Sequence, residues 1–227
     1  TLDLVGLDTF AHVANNVYNQ VDGEEKTIFK LPKFMNEMLN NQWFGEKSGQ
    51  GFYFKQKTSK GSKIYELNTQ TMEYQEQKSL KTHATEMAMQ ERSIHRKIRT
   101  LLSAKGDPAS DLAWSIMKPV LLYSAELVGE IADDILAIDK AMRWGFGWQL
   151  GPFETWDAIG LEESIARMKE EGEQIPNWIN KMLEANKTSF YRHEDGTVHY
   201  YHEGVYKQQK CNEKEINLKL LKQSKGI

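Results

Sequence analysis

The sequence predicts a mainly α fold: two tandem copies of one helical module, each followed by a small β-hairpin. Three observations predict it. The pattern Asp-x-x-Gly-Leu-acid occurs twice, as Asp3, Gly6, Leu7, Asp8 and as Asp157, Gly160, Leu161, Glu162. The stretch 31–39 is echoed at 175–183, with Pro32/Pro176, Met38/Met182 and Leu39/Leu183 identical and most other apolar positions still apolar. Around both echoes the order of elements is the same: helix, helix, hairpin. Two linked matches in one order argue for internal duplication.

Each element has a local reason. Leu7, Phe10, Ala11, Ala14, Val17 and Tyr18 fall at the i, i+3, i+4, i+7 spacing of a helical face. A second helix starts near Pro32, whose missing N–H is harmless in a first turn, and runs to about Asn41. Aromatic and β-branched residues at 52–54 and 63–67 flank a turn at 58–62 and read as a hairpin. The stretch 79–105 is rich in helix formers, with Ile94, Ile98, Leu101 and Leu102 on one side. Gly106, Asp107 and Pro108 break it, and Ser110 or Asp111 can cap the next helix, inside which Pro119 predicts a kink. Asp134 begins a short helix to Trp144, and Pro152 opens another with Glu154 in its first turn. The second copy then gives a helix over 161–171, one starting at Pro176, and a hairpin closed by the Asp195-Gly196 turn.

Composition bounds the function. The chain has 227 residues, is 40% hydrophobic and 27% charged, and carries a net charge of −3. That suits a globular domain or two and gives no electrostatic reason to expect nucleic acid or an anionic membrane as partner. No apolar run approaches the roughly 18 residues of a membrane span. A single cysteine, Cys211, cannot form an internal disulfide, and a cytoplasmic setting is expected.

The phrase 138–153, ending in Gly151-Pro152-Phe153 and followed by Asp157, Gly160 and Leu161, resembles the C-terminal helical domain of 3-hydroxyacyl-CoA dehydrogenases. Lys47-Ser48-Gly49-Gln50-Gly51-Phe52-Tyr53 resembles the K-x-G-x-G-F-Y signature that closes that domain. The resemblance touches most of 1–205 and implies the duplicated form found in multifunctional enzymes, whose two copies pack as a pseudo-dimer. On this reading 1–67 is a first copy, N-terminally truncated, with its hairpin. A helical linker covers 68–107, a second copy with hairpin 108–206, and a tail 207–227 leads toward a further domain. The resemblance implies NAD as cofactor, bound mainly by an N-terminal Rossmann domain of the same chain, and an acyl-CoA substrate. The tail segment 216–222 resembles the link to an enoyl-CoA hydratase domain.

The departures limit the expected role. No G-x-G-x-x-G follows an expected strand, so the dinucleotide fingerprint is lacking. The family's catalytic histidine and its carboxylate lie in the Rossmann domain, and the Asn-Arg pair that opens the helical domain is not found here. In the second copy Lys187-Thr188-Ser189-Phe190-Tyr191 has lost both glycines of the signature. No catalytic residue is therefore assigned. Lys47 stands before a bare Gly-x-Gly backbone, which alone reads as a solvated lysine at a turn; the resemblance implies a cofactor contact, because the matching lysine of the family lies by the NAD site. Trp144 alone reads as core packing, and the resemblance implies a substrate contact, because the matching position of the duplicated enzymes often holds an aromatic residue near the acyl-CoA cleft; Trp148, Phe153 and Trp156 are assigned to the core.

His12 beside an apolar face reads as structural. His193 and His199 could approach across the second hairpin as zinc ligands, with His202 nearby, but the histidine content of a solvated strand explains them and no metal is assigned. The cations Arg92, Arg96, Lys97 and Arg99, with His95, could hold CoA phosphates or nucleic acid, yet Glu86 and Glu91 in the same stretch favour a solvated face. The expected function is thus the substrate-side and dimerisation region of an NAD-dependent dehydrogenase of fatty-acid β-oxidation, inactive alone, with a homo-oligomer possible. A helical assembly module using the same fold is the alternative.

Overall fold

The computed structural model describes residues 1–59, 61–77, 81–194 and 197–209, and the chain divides into two compact units, 1–80 and 81–227. Cys211, the tail 207–227 beyond residue 209, and the Asp195-Gly196 turn lie outside the described residues.

In the first unit α1 (Leu2–Val5) and α2 (Leu7–Gln20) are separated by Gly6. The N–H of Gly6 closes α1 on Leu2 O at 2.8 Å, while its φ of 101° turns the chain into α2. Of the expected α2 face, Leu7, Ala11 and Ala14 are buried, whereas Phe10 is 38% exposed. Pro32 stands just before α3 (Lys33–Asn40), whose Met38 is fully buried against Leu7 and Leu67. Phe34, Trp43, Phe52 and Tyr74 surround that small core. The strands β1 (Tyr53–Thr58), β2 (Gly61–Asn68) and β3 (Glu73–Glu76) form an antiparallel sheet in chain order.

The second unit opens with α4 (His83–Gln90) and α5 (Ile94–Ser103), two helices where the sequence suggested one. Thr82 and Thr85 form a reciprocal capping box on α4, and Ser93 takes the N-cap position of α5. Asp107, rather than Ser110 or Asp111, caps α6 (Pro108–Glu126), accepting the N–H groups of Ala109 and Ser110. The helix continues through Pro119 to Glu126. Then follow α7 (Ile135–Phe146), capped by Asp134, α8 (Pro152–Ile159), α9 (Leu161–Glu170) and α10 (Asn177–Glu184). The sheet β4 (Tyr191–Glu194), β5 (Thr197–His202) and β6 (Val205–Gln208) is again antiparallel in chain order. Its core joins Leu121, Ile135, Met168 and Met182 to an aromatic knot in which Phe190 meets Phe153 at 5.0 Å and Trp156 at 5.5 Å.

The expected fold class is corrected. Helices cover 54% of the described residues, and in place of two all-helical copies with appended hairpins there are two three-stranded sheets. Each of the two compact units mixes helices with a sheet. The physical reason is that a lone two-stranded hairpin is marginal in water. The short strands β3 and β6 each supply one inward aromatic, Tyr74 and Tyr206, that pins the sheet to its unit: each phenol donates to a backbone carbonyl, Gly51 and Ser189 respectively.

Candidate functional site

Both units are closed by the same device. In the first, the Asp3 carboxylate on α1 accepts the backbone N–H groups of Phe52 (2.9 Å) and Tyr53 (2.8 Å). In the second, Asp157 on α8 accepts those of Phe190 and Tyr191, each at 2.8 Å. One carboxylate thus satisfies two consecutive donors where a strand begins, and charge-assisted bonds of this kind are the stronger ones. The next contact also matches: Leu67 N–H reaches Phe52 O, and Tyr201 N–H reaches Phe190 O, both at 2.8 Å.

The signature loop of the first unit is built around this clasp. Gly45 and Gln50 exchange backbone bonds of 2.8 and 3.1 Å, and the Ser48 hydroxyl accepts from Phe44 N–H at 2.9 Å. Gly51 must be bare, since a Cβ there would stand 2.5 Å from Asp3 Oδ1. Lys47 therefore projects from a rigid turn. Its ammonium pairs with Asp8 at the start of α2 and lies 5.8 Å from the Phe44 ring centre, with the side chain 47% exposed. The Lys47 bond holds the Asp8 carboxyl below its usual range. The counterpart in the second unit is used differently: Lys187 donates to Gly204 O and sits near the Tyr201 and Tyr206 rings.

The second unit adds a buried carboxylate. Asp139 on α7, 1% exposed, accepts Phe153 N–H (2.8 Å) and Glu154 N–H (3.0 Å) from the first turn of α8, and the Tyr191 hydroxyl (2.8 Å) from β4. Gly151 permits this approach, because a Cβ there would meet Asp139 Cγ at 2.3 Å. Glu154 in turn accepts Gly151 N–H at 2.8 Å and pairs with Arg143 at 3.1 Å. Burial pushes Asp139 up to about 7, and burial does the same to Asp157. It also raises the Tyr191 phenol. Buried donors and acceptors satisfied among themselves make an anchor, not an acid–base pair open to a substrate.

Trp144, at the end of α7, is 68% exposed, with Lys140 5.3 Å from its ring centre and Phe146 beside it 75% exposed. It is not a core residue and presents an open aromatic face. Trp148 is only half-buried and lines a groove with Leu150, so its assignment to the core is corrected, while Phe153 and Trp156 are wholly buried. The Trp156 indole bonds Ser164 Oγ at 2.7 Å. His12 is exposed and paired with Asn16. His193 stands opposite Val198 and His199 opposite Arg192, so the register puts the two histidines on opposite faces of the sheet. Among the described residues no group of three metal-binding side chains is gathered. No helix among them is long and apolar enough to cross a membrane.

Asp139 and Tyr191 were not singled out by sequence reasoning. The available signal was the Asp139-to-Gly151 spacing, which gains meaning only when α7 and α8 are seen to meet.

Comparisons with known proteins agree with this geometry. The family model of the 3-hydroxyacyl-CoA dehydrogenase C-terminal domain matches residues 1–55 and 115–200, stretches that contain both aspartate clasps. A Bacillus subtilis (strain 168) protein named "Probable 3-hydroxyacyl-CoA dehydrogenase" is 52% identical over 227 residues, all of this chain and 28% of that protein. A Rickettsia felis protein named "Putative fatty acid oxidation complex trifunctional enzyme" is 25% identical over 158 residues, 67% of this chain and 20% of that protein. The chain thus spans less than a third of the length of the curated relatives it matches. No solved structure matches it. Family match, relatives and the conforming Lys47 and Gly151 loops lead to one conclusion: the chain belongs to the 3-hydroxyacyl-CoA dehydrogenase family and carries its C-terminal domain.

Proposed function

We propose that this chain is the substrate-side region of an NAD-dependent 3-hydroxyacyl-CoA dehydrogenase of fatty-acid β-oxidation, and that its two units are duplicated copies of one domain. The observation that carries the reading is the shared clasp, Asp3 on Phe52 and Tyr53 and Asp157 on Phe190 and Tyr191, lying within the stretches that match the family model. The sequence ranges 1–67 and 108–206 then approximate the repeated parts, while the intervening 68–107 holds β3 of the first unit and α4 and α5 of the second. The name of the Rickettsia relative supports the fatty-acid pathway and a multifunctional setting, and an enoyl-CoA hydratase domain as partner rests on the likeness of 216–222 to the link that leads to one.

Neither sheet is parallel, so the described residues offer no crossover at which a dinucleotide would sit. A group that fits an anionic cofactor in the first unit is Lys47, half-exposed on its rigid turn. In this reading NAD, which accepts the hydride when bound, is held mainly by a Rossmann domain outside these 227 residues. Lys47 favours its negative charge from the opposite side, and Trp144 offers an aromatic face to the acyl-CoA. The chain orients and encloses, without a base of its own, and contributes to oligomer contacts in a cytoplasmic enzyme.

The test is oxidation of 3-hydroxybutyryl-CoA with NAD, followed by NADH absorbance, for the full-length gene product and for this chain. Turnover by the former and none by the latter is expected. A full-length protein that binds neither NAD nor acyl-CoA would overturn the reading and leave the assembly module. That second reading rests on the polar clusters around Asp139 and Asp157, all of which are spent on holding elements together.

A further inference from the structure

The second unit contains an open groove of about 400 Å³ that neither Lys47 nor Trp144 lines. Ile94, Ile98 and Leu101 of α5 form one wall, Met117 of α6 the other, and Trp148 and Leu150 close it. The volume is that of a small-ligand cleft, which typically holds about 300–1,000 Å³. These apolar side chains are only half-buried; Ile98 and Met117 touch the core on one side and the groove on the other. Of the lining, only Gln149 and Thr155 are polar, too few to recognise a sugar, a nucleotide or a peptide backbone. The part of a ligand held here is a hydrocarbon.

The rim supplies the second half of the specification. Lys97 is three residues from Ile94 and four from Leu101, hence a direct neighbour of both on the helix surface. It is exposed, and among the described residues it makes no ion pair. Neighbouring cations are already committed: Arg99 to Glu163 at 3.7 Å, Lys105 to Glu170 at 3.3 Å, Arg167 to Asp111 and Glu171. The seven helical steps from Ile94 to Leu101 rise roughly 10 Å, enough for a chain of about eight methylenes laid along the wall.

We propose that this groove binds a single unbranched alkyl chain ending in an anionic head, with the chain between α5, α6 and Trp148 and the head at Lys97. The site goes beyond the dehydrogenase reading: it lies in the unit whose Lys187 loop lacks the glycines and serves the sheet instead. A fatty carboxylate and an acyl-CoA share the chemistry that such a groove recognises.

The experiment is calorimetric titration of the chain with dodecanoate, dodecanoyl-CoA, butanoate and dodecyltrimethylammonium, each below its micelle concentration. Saturable one-to-one binding of a twelve-carbon anion is expected, with none by butanoate. A stronger CoA ester identifies the acyl-CoA as the source of the head, and an equal or weaker one the free carboxylate. Lys97→Glu, a change on the exposed face, should weaken the anion by about fivefold and not the cationic amphiphile, the scale of one exposed ion pair. Ala113→Phe should fill the groove and abolish binding of both. No saturable binding, or binding that neither substitution alters, overturns the proposal. If Ala113→Phe lowers the melting temperature, Lys97→Glu alone decides it. NADH formation by the unsubstituted full-length protein is read separately, so either proposal can fail without the other.

Discussion

Tyr191 Oη lies 2.8 Å from Asp139 Oδ2 and donates its proton to that carboxylate, tying β4 to α7. The same carboxylate holds the first turn of α8 through Phe153 and Glu154 N–H, so one side chain joins three elements. Tyr191→Phe keeps the ring and removes a buried hydrogen bond, worth about 0.5–1.5 kcal/mol while Asp139 is protonated and about 1.5–3 kcal/mol once it is ionised above about 7. Asp139→Ala should cost more, because it orphans two buried amides and a phenol at once. Urea denaturation of both variants measures this. A Tyr191→Phe midpoint equal to that of the unsubstituted chain would show the bond to be energetically idle. Tyr53, the counterpart of Tyr191 in the first unit, is 51% exposed, and Tyr53→Phe should shift stability by less than about 0.5 kcal/mol.

Much of this arrangement was readable in the sequence, and the unreadable part has a common cause. The α2 face, the proline starts at 32, 152 and 176 and the Asp134 cap are local, decided within a few residues, and they stand where the spacing put them. The split of α4 from α5 turns on Glu91, Arg92 and Ser93, three residues with no breaker among them. The third strands were overlooked because four residues such as Glu73–Glu76 carry no alternation of their own. Their place is fixed by Tyr74 and Tyr206 reaching Gly51 and Ser189, partners far off in sequence. Asp139 looked like any helix acid for the same reason. Lys47 and Trp144 stand on the surface, exposed enough to meet a ligand, and their roles turn on what faces them.

Two glycines should resist substitution while a third welcomes it. A Cβ on Gly151 would meet Asp139 Cγ at 2.3 Å, and one on Gly51 would meet Asp3 Oδ1 and Gly45 Cα, each at 2.5 Å. Each change pushes a carboxylate off two backbone donors, so Gly151→Ala and Gly51→Ala should each cost about 2 kcal/mol or more. Gly145 lies inside α7 with nothing within 4 Å of its would-be Cβ. Gly145→Ala should therefore stabilise by about 0.5–1 kcal/mol through helix propensity and lower unfolded-state entropy. Melting temperatures of the three variants, ranked in the reverse order, would refute the close-approach account.

Stability should vary with pH in two opposed windows. Burial raises Asp139 and Asp157 from 3.8 to about 7 in the folded chain, so folding favours their protonated forms. Their contribution is complete below pH of about 4 and is lost as pH rises through about 7. Glu171 runs the other way. Burial alone would raise it, but the Trp114 indole, Lys118 and Arg167 overcome that and bring it from 4.5 to about 2. Its contribution is complete above pH of about 4.5 and is lost as pH falls through about 2. Melting temperature against pH should thus fall toward neutrality, less steeply in Asp139→Asn, and fall again in acid, less steeply in Glu171→Gln. A profile that rises from about pH 4 to about pH 7 would mean that the donors around Asp139 outweigh its burial.

Lys47 and Lys187 occupy matching places and should answer to different assays. Lys187 donates to Gly204 O beside the rings of Tyr201 and Tyr206, inside the fabric of its sheet. Removing it forfeits a hydrogen bond and two cation–π contacts, and Lys187→Ala should lose about 1–2 kcal/mol of stability. Lys47 has one ion pair, with Asp8, at a site where both side chains are more than 40% exposed, and such pairs contribute about 0–1 kcal/mol. Lys47→Ala should therefore leave the melting temperature of the chain nearly unchanged. On the proposed reading, Lys47→Ala in the full-length protein should raise the KM for NAD by about three- to tenfold, the loss of one charge contact to an anion, with kcat little altered. Lys187→Ala should leave that KM where it was. The crossed result, a KM effect from Lys187 and a stability loss from Lys47, would reverse the roles that the two loops give their lysines.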